Sequence, residues 1–120
     1  MPFNKEIIEE VWKKATVIQG YDEDHFRKDC CGAIIAREKY GDLDSVFGWQ
    51  IDHVYPQSLG GTDIIDNLRA MQWQNNESKK DDYPSYYSSV VANGISNIES
   101  RVRHVVNPSL QKKLKEIYGI

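Results

Sequence analysis

Asp52 and His53 stand side by side in the stretch from Gly48 to Lys80, and two carboxamides follow them at Asn67 and Asn76. Hydrolysis of a phosphodiester needs a water made nucleophilic, a counter-charge for crowded oxygens and help for the leaving alcohol. An imidazole can take a proton from water near neutral pH. A divalent ion can supply the charge, and for such an ion Asp52 offers a hard anionic oxygen and Asn76 a neutral one. Two oxygen ligands leave positions for water and phosphate, which is how Mg²⁺ is usually held.

Spacing strengthens the reading. Asn67 follows His53 by fourteen residues and Asn76 follows Asn67 by nine, with Gly60-Gly61 between and Lys79 and Lys80 just beyond. The run IDHVYPQSLGGTDIIDNLRAMQWQNNESK resembles the HNH endonucleases, the ββα-metal nucleases, over roughly residues 28–82. The resemblance implies a β-hairpin and a helix around a divalent ion, Mg²⁺ or another such as Mn²⁺, and DNA as substrate, with RNA left open. It makes His53 the general base, Asp52 and Asn76 the metal ligands, and Asn67 the residue that holds the loop behind His53. Arg69, Lys79 and Lys80 become the expected phosphate contacts.

One geometric demand follows. Neighbours on a regular strand point to opposite faces, so Asp52 and His53 both meet the ion only if the strand ends or bulges there.

The chain also departs from the family. Many HNH proteins carry two cysteine pairs on a structural zinc; the matching positions here are Lys28, Cys31, Gln72 and Asn75. One thiolate does not make a tetrahedral zinc site. No structural zinc is expected, and the N-terminal helix, Trp49, Trp73 and the C-terminal helices are expected to supply the stability.

The surrounding chain must position these groups. At 120 residues it is long enough for one domain with one modest core. No apolar run approaches the ~18 residues of a membrane span, and the N-terminal MPFNKEIIEEVWKK lacks the apolar centre of a secretory signal. A cytoplasmic location is the default expectation. Cys30 and Cys31 are adjacent with no other cysteine to pair with, which argues against a disulfide scaffold. The net charge of -3 does not advertise a nucleic-acid binder. Arg69, Lys79, Lys80, Arg101, Arg103, Lys112, Lys113 and Lys115 all lie after the loop, so any basic face comes from the second half.

The expected class is α+β, a hairpin-and-helix centre wrapped by terminal helices. Residues 4–17 carry apolar groups at helical spacing behind Asn4 as N-cap. Residues 19–29 read as a polar loop, and 31–37 as a strand pairing with 47–54. Residues 67–71 are a short strand or a helical lead-in, which periodicity does not separate. A polar helix is expected before Tyr83-Pro84, then a helix over 95–106 and another starting at Asn107-Pro108. Trp12, Trp49 and Trp73 read as core. The C-terminal helix packs on its own core or on a second copy, leaving a homodimer open.

The alternative from another class is a non-catalytic HNH-fold module that binds DNA or a partner protein. Its support is the acidic net charge and the lack of a sequence-reading element.

Overall fold

The computed structural model describes residues 3–120 and is an α+β fold. Helix α1, Lys5–Lys14, starts where Oδ1 of Asn4 accepts the Ile7 amide at 2.9 Å, and it buries Val11 and Trp12. Strands β1 (Thr16–Val17), β2 (Phe26–Lys28) and β3 (Ile34–Ala36) form a small antiparallel sheet. Strands β4 (Trp49–His53) and β5 (Leu68–Gln72) form an antiparallel pair whose register runs without a bulge from Trp49↔Gln72 to His53↔Leu68. Helix α2, Trp73–Lys79, follows at once, capped by the Gln72 side chain, which accepts the amides of Gln74 and Asn75.

Beyond α2, β6 (Ser85–Tyr87) pairs with β9 (Arg103–Val105), and β7 (Val90–Asn93) pairs with β8 (Ser96–Glu99). Helix α3, Pro108–Tyr118, has Asn107 as N-cap and proline in its first turn. It stops at Gly119, whose left-handed φ of 68° costs a side-chain-free residue little. No described helix is long and apolar enough to cross a membrane.

The β4–β5 pair sits between two apolar clusters. Trp49, Ile51, Leu68 and Ala70 join Val11 and Trp12 of α1, while Met71 joins Tyr86, Val106 and Leu114 on the other side. Trp12 and Trp49 are almost wholly buried with rings 5.5 Å apart, and each such burial stabilises the fold by about 2–3 kcal/mol. Trp73 is half-buried and donates its indole N–H to the Ser45 carbonyl.

Three expectations are corrected. The strand at 34–36 pairs with β2, inside what reads as a polar loop, and β4 pairs with β5 instead. Arg27 of β2 is buried because its guanidinium donates to the carbonyls of Glu23, Lys13 and Ala15, so a charged residue marks a strand that a hydrophobic pattern misses. Residues 95–106 hold β8 and β9 and no helix. Their apolar residues are not a buried stripe: Ile95 is 77% exposed and Val105 50%, and β-branched residues with a glycine turn suit a hairpin. Of residues 67–71, Asn67 ends a short 3-10 turn and Leu68 onward lies in strand β5, and the extension 83–120 is helical only over α3.

Gln72 and Asn75 are fully buried around Asp29. The Asp29 carboxylate accepts the amides of Cys31, Ala33 and Gln72, each at 2.9 Å, and the Asn75 side-chain N–H at 3.1 Å. Burial pushes its pKa up, against the pull of those donors. This knot ties β3, β5 and α2 together.

Candidate functional site

The loop after β4 is built around Asn67, which is fully buried. Its Oδ1 accepts the Tyr55 amide at 2.7 Å, and its Nδ2 donates to the carbonyls of Tyr55 and Thr62 at 3.0 and 3.1 Å. Glycine is required at 61, since a Cβ there would lie 1.7 Å from the Tyr55 carbonyl oxygen. Lys14 of α1 donates to the carbonyls of Ile65 and Leu68, fixing the returning end of the loop. The loop is thus closed on itself immediately behind His53.

His53 ends β4 with its side chain 15% exposed, and its Nε2 lies 2.7 Å from Oδ1 of Asp63. The Phe3 ring packs beside it at 5.9 Å. With Nε2–H donating to Asp63, Nδ1 carries the free lone pair. Asp63 was not foreseen from the residue pattern. Its signal is the acid that follows the Gly60-Gly61 turn, which folds the loop back over the imidazole.

Asp52 faces the other way. The unbroken register gives the strand no bulge, so its carboxylate points toward α2, 4% exposed. Nε of Arg69, its cross-strand partner, donates to Oδ2 at 3.0 Å, and Nζ of Lys79 lies 3.3 Å from Oδ1. Lys79 is completely buried and also donates to the His53 carbonyl at 3.2 Å. Both cations lie over the Tyr86 ring. Burial holds the Lys79 pKa below its ordinary value against the pull of Asp52. Burial also opposes the Arg69 charge, but neighbouring Cys30 and Asp52 raise its pKa on balance.

Asp52, His53 and Asn76 nevertheless border one cleft of about 190 Å³, together with Gln57, Lys80 and Asp81. Ile51 borders it too, so the cleft runs along β4 and meets both faces of the strand end. Nδ2 of Asn76 donates to Oε1 of Gln50 at 2.9 Å, which orients the amide. Of the residues expected to act, Asp52, His53, Asn76 and Lys80 are gathered here, and Asn67 holds the loop behind them. Arg69 and Lys79 are not phosphate contacts on a surface: both are drawn inward to neutralise Asp52.

A divalent ion is compatible with these donors in kind. Asp52 and Asn76 supply hard oxygens, and the two cations occupy only two of the roughly four lone-pair sites of a carboxylate. Those same cations oppose a further positive charge, so tight binding is not expected. Among the described residues, no three His, Cys, Asp or Glu side chains converge into a ready-made metal cage.

No family model matches the chain, and no curated protein or solved structure is significantly similar to it.

Proposed function

We propose that this chain is a divalent-metal-dependent endonuclease of the HNH kind, hydrolysing nucleic-acid phosphodiesters at the cleft beside His53, with DNA as the first substrate to test. The observation that carries the reading is one arrangement: a histidine paired with an aspartate at the end of a hairpin strand, its loop closed by Asn67, with Asn76 of the following helix across the cleft.

The chemistry follows from the chain's own groups. Nδ1 of His53 takes a proton from water as the water oxygen attacks phosphorus. The P–O bond to the leaving oxygen breaks and that oxygen takes its proton from solvent, while Asp63 keeps the imidazole in one tautomer and stabilises the imidazolium that forms. Lys80 is exposed at the cleft and can meet a non-bridging phosphate oxygen. Asp52 and Asn76 would hold the divalent ion, which when bound supplies positive charge to the phosphate and the leaving oxygen.

The test is nicking of supercoiled plasmid with Mg²⁺ or Mn²⁺, with and without chelator. Metal-dependent nicking that vanishes in His53→Ala supports the reading.

One observation favours a second reading, a non-catalytic binding module: the Asp52 carboxylate is already held by Arg69 and Lys79. Nucleic-acid binding without cleavage under any divalent ion would put that reading first.

A further inference from the structure

A second and larger concavity, about 760 Å³, shares the segment 55–59 with the cleft. Pro56 and Gln57 border the cleft, while Tyr55 and Leu59 line the groove. The opposite wall continues in the same way, with Asp81 at the cleft and Tyr83 in the groove. Tyr55 is two residues from His53, at most about 7 Å of chain. A nucleotide next to one held at the cleft therefore reaches the groove.

Two kinds of group meet there. Tyr55 and Tyr83 lie edge to face with ring centroids 5.2 Å apart, and Tyr55 also stacks on Tyr118 at 5.2 Å, so the aromatic wall is braced. Facing it, α3 presents Lys112 and Lys115, three residues apart on one helix face and both exposed. No acidic side chain is among the described residues that line the groove. With Arg69 and Lys79 buried on Asp52, these lysines are the cations placed to meet a strand leaving the cleft.

We propose that this groove receives an unpaired nucleotide adjoining the scissile phosphate, its base against Tyr55 and Tyr83 and its phosphates on Lys112 and Lys115. The proposal rests on the nuclease reading of the cleft and deepens it, because it makes the substrate one with an unpaired strand beside the cut. A base inside a duplex has both faces stacked and cannot offer one to a tyrosine. Stacking is tolerant of base identity, so the preference is for strandedness and not for sequence.

The test is fluorescence anisotropy of a labelled single-stranded oligonucleotide and of the same sequence as duplex, in chelator. It uses the full chain, Lys112→Glu/Lys115→Glu and Tyr83→Leu, each shown folded by circular dichroism. Single strand is expected to bind more tightly than duplex. Tyr83→Leu is expected to weaken it by about tenfold, the order of one lost base–aromatic stack. The double lysine variant should reduce the slope of log affinity against log salt by at least about 1.4, two phosphate contacts at about 0.7 each. Wild-type affinity and slope in the lysine variant, or preference for duplex, overturns the groove. Because binding is read without metal, the two readings fail separately. Variants that lose binding beside a wild type that never cleaves leave the groove standing and remove the nuclease; a cleaving wild type whose groove variants bind normally does the reverse.

Discussion

The Lys79 ammonium group lies 3.3 Å from Oδ1 of Asp52 and 3.2 Å from the His53 carbonyl oxygen, fully shielded from solvent. A lysine on the helix after the motif is thereby a strut between α2 and β4, and Arg69 secures the other carboxylate oxygen. Asp52 carries a structural duty whatever it does for an ion.

Asp52→Ala leaves two largely buried cations without their anion. Removing one partner of a buried ion pair costs about 3–5 kcal/mol, so urea unfolding should show a loss of that size. Excess Mg²⁺ should not restore activity. A variant of wild-type stability, defective only in metal binding, would show that the pairing contributes little.

Asp29→Ala strands three backbone amides and the Asn75 side chain in the interior. Each unsatisfied buried donor costs about 1–3 kcal/mol, and the sum should bring the midpoint of chemical denaturation down by far more than a surface change does. With one cysteine among Lys28, Cys31, Gln72 and Asn75, no structural zinc is expected, so wild-type stability should be indifferent to chelators.

Asp63→Asn keeps the volume beside His53 but no longer offers a carboxylate to its Nε2–H. Loss of such an orienting partner typically costs about 10–100-fold, and the drop should fall on kcat with the fold unchanged by circular dichroism. Unchanged kcat would make the 2.7 Å contact incidental.

His104 stacks on Tyr86 and bonds Ser88 Oγ, and burial lowers its pKa below the usual 6.5. A lowered folded pKa means the unfolded chain binds the proton first. The stability it contributes is present above pH 6.5 and falls as pH drops from there through the folded value. His104→Gln should flatten the stability profile in that window; an equal slope in both proteins would assign it to other groups.

The residue pattern alone predicts the cleft better than its surroundings. Type and spacing single out His53, Asn67 and Asn76, and the structure places His53 and Asn76 on one cleft with Asn67 closing the loop behind it. The orientation of Asp52 depends on strand register, which slips by a whole face if one residue bulges, and only the structure decides it. Lys79 and Arg69 look like surface cations for the same reason: burial of a charge is a property of its partner. The helix expected at 95–106 fails because Ile95, Ile98, Val102 and Val105 recur at helical spacing yet lie exposed on strands and turns. The capped helices succeed because Asn4 and Asn107 act on their own next turn.

The central claim is that His53 activates water at this cleft, and it is tested most directly by single-turnover cleavage of a labelled oligonucleotide with Mg²⁺, wild type against His53→Ala. The account predicts a rate lower by about 10²–10⁴-fold, with stability and divalent-ion affinity preserved and partial recovery on adding imidazole. Cleavage at the wild-type rate by His53→Ala, in a preparation free of other nucleases, would contradict it.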